Sequence, residues 1–191
     1  MTVSAFVPIK KFSNSKERLS NVLDSIDRSK LAEQMAKHTI KTLFNSNICD
    51  SITIVTNDKD LTFINTVSYF TELPLNQALH EAIASKPNND ITLVMHADLP
   101  RINEKDLQKF KDSFTKTKIS IISDLHKIGT NCLMYDSSLN FNLKFGVDSY
   151  PLFIKEFESN ELMHQDICLP SLQDDLDSEE DYFKLNQYIN G

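Results

Sequence analysis

Three carboxylates and three cations carry the chemistry this sequence offers. Asp98 follows the apolar run Ile91–Met95 and precedes Leu99 and Pro100. A short, β-branched run of that kind suits a strand buried on both faces, as in the middle of a parallel sheet. Such a strand delivers Asp98 to its carboxyl end, where open α/β sheets bind ligands, and Pro100 stops further pairing. Far along the chain, Asp175 and Asp177 alternate, so in an extended segment both point the same way. Joined to Asp98 they supply the hard oxygen ligands that Mg²⁺ takes. Lys10, Lys16 and Arg18 cluster in one loop of an acidic chain, and ammonium and guanidinium groups suit phosphate oxygens. Each feature also has a plainer account. Asp98 reads equally as a turn residue, Asp177 as a helix cap in Asp-Ser-Glu-Glu, and the basic loop as a solvated one.

Small polar groups add two further stretches. Gly129-Thr130-Asn131 presents backbone N–H groups and a hydroxyl together, a cradle for phosphate or carboxylate, or simply a turn into a strand. Gly146 is followed three residues later by Ser149 at the start of a helix, and helix N-termini bind anions. Asn76 opens another helix, as its cap or facing a nucleotide's sugar or base. His96 alternates to the same face as Asp98 but is not taken as a base. No nucleophile elbow, Walker loop or Rossmann glycine fingerprint is present.

The elements that must position these residues alternate in type. Strands are expected at 3–7, 51–55, 68–70, 91–95 and 119–122, with further ones at 131–135 and, short, at 167–169. Helices are expected after an Asp24 cap with Leu31, Met35, Thr39 and Leu43 on one stripe, at 60–67, 75–85, after Asn103, at 150–157 and from about 177 to 188. Through residue 122 this β-α alternation predicts a parallel sheet wrapped by helices.

The 191 residues fit one domain, 1–191, with 40% hydrophobic and 25% charged residues typical of a folded globular chain. A net charge of −7 argues against nucleic acid or an anionic membrane as partner, without excluding a phosphorylated ligand in a locally basic cleft. Cys49, Cys132 and Cys168 are scattered and odd in number, as buried free thiols in a reducing cytoplasm would be. No signal-peptide core or membrane-length apolar run is evident, so a cytoplasmic protein is expected.

Taken in order, Ala5-Phe6-Val7-Pro8-Ile9-Lys10-Lys11-Phe12, Lys16-Glu17-Arg18-Leu19, Leu75-Asn76, Ala97-Asp98-Leu99-Pro100, Gly129-Thr130-Asn131, Phe145-Gly146 with Ser149, and Leu172 with Asp175, Asp177 and Asp181 resemble the 2-phospho-L-lactate guanylyltransferase family, over nearly the whole chain. The resemblance implies a three-layer α/β/α, Rossmann-like nucleotidyltransferase fold of the nucleotide-diphospho-sugar transferase type, with a mostly parallel sheet. It implies transfer of GMP from GTP to 2-phospho-L-lactate, phosphoenolpyruvate or 3-phospho-D-glycerate on the route to the deazaflavin coenzyme F-420. By the same resemblance Asp98, Asp175 and Asp177 coordinate Mg²⁺, and Thr130, Gly146 and Ser149 hold the phosphorylated acid. Pro8, Lys10, Lys16 and Asn76 face GTP, with Asp98, Lys16 and Arg18 at the reaction. A downstream transferase accepting the product is the implied partner. The chain departs from the family where consecutive glycines usually precede Thr-Asn: here Lys127 and Ile128 stand first, and Lys127 adds a cation near the acceptor's carboxylate.

Two other functions fit the same residues. One is nucleotide transfer to a sugar phosphate or a molybdopterin, since fold does not fix function. The other is a non-catalytic GTP-binding regulatory module, which the missing glycines favour.

Overall fold

The computed structural model describes residues 1–86, 88–114 and 117–188. Seven strands form one sheet: β1 (Val3–Pro8), β2 (Ser51–Thr56), β3 (Val67–Phe70), β4 (Ile91–Met95), β5 (Ile119–Ser123), β6 (Thr130–Asp136) and β7 (Gln165–Asp166). Their order is β3-β2-β1-β4-β6-β5-β7. The β3-β2-β1-β4 half is parallel throughout. β6 runs antiparallel to both β4 and β5, and β7 is parallel to β5.

The helices are α1 (Ser25–Asn45), α2 (Leu75–Ala84), α3 (Glu104–Ser113), α4 (Ser149–Ser159), α5 (Pro170–Gln173) and α6 (Glu179–Leu185). Asp24 caps α1 by accepting the Asp27 N–H at 2.8 Å, and Asn103 caps α3 by accepting the Asp106 N–H at 2.9 Å. The expected α1 stripe of Leu31, Met35, Thr39 and Leu43 is buried.

Strand alternation divides the core into two layers. Ala5, Val7, Leu93 and Met95 pack with Ala36, Ile40 and Leu43 of α1 and with Leu107 and Phe110 of α3. Phe6 and Val94 point the other way, toward Ala78, Leu79 and Ala82 of α2 and Phe153 and Phe157 of α4. The result is the three-layer α/β/α arrangement.

A third, smaller cluster joins the two ends of the chain. Leu19, Leu31, Met35, Leu176 and Leu185 pack together, and Leu19 and Leu176 are fully buried. This cluster anchors the loop after β1 and the segment before α6 against the same helix.

Two expected elements differ. Residues 60–66 form turns and irregular chain rather than a helix, and Val67 already begins β3; Asn65 takes a positive φ of 62°, and Leu61 and Phe63 pack on the core. The strand expected at 167–169 lies at Gln165–Asp166 instead, and only Ile167 continues the pairing, through its N–H to the Ile121 carbonyl at 2.9 Å. Of the three cysteines, all free, only Cys132 is buried; Cys49 is half-buried and Cys168 exposed. Among the described residues no helix is long and apolar enough to cross a membrane.

Candidate active site

Parallel strands β1, β2, β3 and β4 end on one rim, and a cleft of about 480 Å³ opens there. Pro8, Lys10 and Lys16 line it beyond β1, and His96 and Asp98 beyond β4. The antiparallel course of β6 has a positional consequence. Met95 pairs with Cys132, and the His96 N–H donates to the Asn131 carbonyl at 2.9 Å. The amino end of β6, with Thr130, therefore meets the carboxyl end of β4, with Asp98.

The floor of the cleft is an ion triad. The Lys16 Nζ lies 2.8 Å from the Asp98 Oδ2 and 2.7 Å from the Asp177 Oδ1. Lys16 sits at a positive φ of 55°, which turns its side chain out of the loop and into the cleft. Its side chain is only 8% exposed. Burial alone would lower its pKa, but the two carboxylates outweigh burial and raise it. Burial likewise works to raise Asp98, yet Lys16, with His96 assisting, holds its carboxyl below the usual range. The second Asp98 oxygen, Oδ1, is buried with no hydrogen-bond partner among the described residues. The Asp98 carbonyl accepts the Leu176 N–H at 3.1 Å, which ties the β4 loop to the acidic segment.

Asp175 takes no part in the ion pairs of Lys16. Burial, then the charges of Asp98 and Asp177, push its carboxyl up to about 7. Among the described residues no group of three acidic, histidine or cysteine side chains is spaced to hold a metal ion. Asp98 and Asp177 thus converge on one cationic centre, while the expected three-carboxylate cluster is not assembled. Two carboxylates fit Mg²⁺ nonetheless, because that ion commonly takes one or two from protein and the rest from phosphates and water. The partnerless Asp98 oxygen is a donor of the right kind.

The remaining expected residues divide. Arg18 is 78% exposed and reaches Asp177 only at 3.9 Å. Asn76 neither caps α2 nor points into the cleft. Pro74 is the N-cap residue, and the Asn76 side chain both donates to the Phe145 carbonyl and accepts the Phe145 N–H, each at 2.9 Å. This bidentate clamp holds the turn into Gly146, whose φ of +124° requires glycine. Thr130 and Ser149 are buried and lie outside the cleft lining. The Thr130 hydroxyl has no partner among the described residues. The Tyr150 N–H donates to the Ile128 carbonyl at 3.0 Å, joining the start of α4 to the loop before Thr130.

Lys127 directs its charge to Asp166. It adopts the left-handed region at φ 57°, and its ammonium bonds Asp166 at 2.8 Å while lying 5.7 Å from the centre of the Tyr150 ring. Gly129 is the position that tolerates no side chain without adjustment. An added Cβ would stand 3.1 Å from the Asp124 carboxylate, which accepts the N–H groups of Ile128 and Gly129, each at 2.8 Å.

Sequence reasoning missed the supports behind the site. The Asp174 carboxylate is buried and paired with Arg101 and, at 3.5 Å, with Lys184. Asn131 donates to the Leu172 and Gln173 carbonyls at 3.1 and 3.2 Å. Both fix the segment that ends in Asp175 and Asp177. The signal available was Asp174 itself, a further acid directly before Asp175 and Asp177.

The sheet order and the rim cleft define a Rossmann-like α/β/α fold of the nucleotide-diphospho-sugar transferase type. The fold agrees with a nucleotidyl transferase from Methanothermobacter (TM-score 0.68, 14% identity, covering 99% of this chain and 98% of that one). It agrees equally with 4-diphosphocytidyl-2C-methyl-D-erythritol synthase from Anaerococcus prevotii (TM-score 0.68, 12% identity, 100% and 96% covered). Residues 3–186 match the family described as "Guanylyl transferase CofC like", and the chain belongs to that family. It is 28% identical over 194 residues to the phosphoenolpyruvate guanylyltransferase of Roseiflexus sp. (strain RS-1), covering 98% of this chain and 86% of that protein. It is 30% identical over 196 residues to the 2-phospho-L-lactate guanylyltransferase of Methanocaldococcus infernus, covering 99% and 86%. It is 26% identical over 189 residues to the 3-phospho-D-glycerate guanylyltransferase of Colwellia psychrerythraea, covering 95% and 90%.

Proposed function

We propose that this protein transfers GMP from GTP to the phosphate of a small phosphorylated carboxylic acid and releases pyrophosphate. The observation that carries the reading is the convergence of Asp98 and Asp177 on one cation at the floor of the rim cleft. Three family relatives name phosphoenolpyruvate, 2-phospho-L-lactate and 3-phospho-D-glycerate as acceptors, and one of these acids is the expected substrate here, within coenzyme F-420 biosynthesis.

In this reaction an acceptor phosphate oxygen attacks the α-phosphorus of GTP. A new P–O bond forms as the bond to the β-phosphate breaks. The second pKa of a phosphomonoester is about 6, so the nucleophile is mostly dianionic at neutral pH and needs no general base. This fits a site whose ionisable groups are carboxylates and cations. The barrier is the approach of two polyanions. Lys16 and, nearer the surface, Arg18 offset that repulsion and the charge growing on the leaving pyrophosphate. Asp98 and Asp177 would hold Mg²⁺, which would supply further electrostatic stabilisation there. Thr130, Gly146 and Ser149 are the chain's groups for the acid in this reading. The Asn76 clamp holds the Gly146 turn in register with the cleft.

A coupled pyrophosphate assay with GTP, Mg²⁺ and each of the three acids tests this. Release that requires both GTP and one acid is the expected result. GTP binding with no release for any acid would instead favour the regulatory module. Release with sugar phosphates or a molybdopterin, and with none of the three acids, would favour that acceptor class.

A further inference from the structure

The parallel half of the sheet arranges the cleft along a line. Glu72 lies just past β3, Asn57 past β2, Lys10 and Lys16 past β1, and Asp98 past β4. Adjacent strands stand about 4.8 Å apart, so the Glu72 loop lies roughly 10 Å, two strand spacings, from the β1 loop. That separation matches a nucleotide laid along the rim, its phosphates at Lys16 and Asp98 and its base at the β3 end.

The β3 end has the chemistry a purine needs. Three carboxylates line the cleft, and Asp98 and Asp177 are bonded to Lys16. Glu72 is exposed and has no hydrogen bond or ion pair among the described residues. Its backbone is nonetheless fixed from both sides. The Thr71 N–H donates to the Thr56 carbonyl at 2.9 Å, and the Leu73 N–H donates to the Thr71 hydroxyl at 3.2 Å. Leu73 and Leu75, beside it in the lining, are 40% and 36% exposed and offer apolar surface for a ring face. Asn57 is less available, because its carbonyl oxygen already accepts the Lys11 N–H at 2.9 Å.

We infer that Glu72 reads the guanine edge of the nucleotide and is a specificity-determining residue of the guanylyl transfer proposed above, on which reading this inference rests. Guanine presents two adjacent donors, N1–H and the 2-amino group. An ionised carboxylate offers two oxygens and no donor, so it accepts both in parallel. Adenine presents an acceptor at N1 and would set a lone pair against the carboxylate. Hypoxanthine keeps N1–H and loses the 2-amino group, so it reports one of the two bonds.

The test compares wild type with Glu72→Ala and Glu72→Gln. Turnover is measured with GTP, ITP and ATP, and binding of GDP and IDP is measured by calorimetry, with melting temperature as the fold control. Hydrogen bonds to charged groups predict a fall of about 10- to 100-fold in kcat/KM for GTP in Glu72→Ala. The preference for GTP over ITP, and for GDP over IDP, should collapse while the melting temperature holds. A wild-type guanine preference that survives both substitutions overturns the assignment. A wild-type chain that releases no pyrophosphate defeats the catalytic reading, and the GDP-to-IDP binding ratio across the variants then decides for or against Glu72 alone.

Discussion

At the scale of single residues, one ammonium from near the start of the chain bridges two carboxylates, one from its middle and one from near its end. Asp98→Asn leaves a side chain of the same shape but removes the charge that faces Lys16. Loss of one preorganised electrostatic group commonly costs on the order of 10²-fold in rate or more. Turnover should therefore drop at least that far with the circular dichroism unchanged; near-normal turnover with Mg²⁺ present would remove Asp98 from the reaction. Lys16→Met should act differently. It leaves Asp98 and Asp177 without their counter-charge, so the melting temperature should fall, and Mg²⁺ should raise it more than it does in wild type. A variant whose melting temperature ignores Mg²⁺ would mean that the two carboxylates do not hold the ion. Asp98, Lys16 and Asp177 were legible in the sequence because strand ends and charge clusters mark themselves. The role of Asn76 was not, since its partners are main-chain groups of residue 145 and no spacing rule announces a contact across 69 positions.

At the scale of elements, the parallel half of the sheet was legible from its apolar β-branched runs, and so was the cap of α1. The antiparallel course of β6 was not. Asn131 and its neighbours alternate as any strand does, and direction depends on the short connection from β5 through Asp124. That reversal brings the amino end of β6, with Thr130, beside the carboxyl end of β4, by a hairpin rather than a crossover. Asn76→Ala would leave both Phe145 main-chain groups without their partner. It should cost about 1–3 kcal/mol of stability and raise the KM for the acid more than that for GTP. Equal changes in both KM values would show that the clamp serves the cleft as a whole. The same layer carries a pH dependence. The Asn142 N–H, outweighing modest burial, and the Asn142 side chain and Lys144 hold the Glu156 carboxyl on α4 below its usual range. A depressed carboxyl stabilises the fold above its unfolded pKa, and the contribution is lost as pH falls through the folded value. Glu156→Gln should therefore melt below wild type at pH 7, with the gap closing toward pH 3; a constant gap would mean the ionised form is not what matters.

At the scale of the whole molecule, the loop after β1 and the segment before α6 meet through a small leucine cluster. Leu19 and Leu176 lie close in sequence to Lys16 and Asp177 and are fully buried. Leu31 and Met35 of that cluster were legible as part of the α1 stripe, but Leu19 and Leu176 were not, because neither belongs to a long periodic element and most of the chain separates them. Leu176→Ala should cost about 2–5 kcal/mol and lower turnover further than an equally destabilising substitution on α3, since it loosens Asp177 directly. Equal losses of turnover at equal stability would separate the leucine cluster from the site. The most direct measurement of the central claim is a crystal structure with GTP, Mn²⁺ in place of Mg²⁺ and one of the three acids, the ion located by its anomalous signal. The account predicts the metal bound by oxygens of both Asp98 and Asp177 and by nucleotide phosphate. An ion seated on GTP with neither carboxylate in its shell would contradict it.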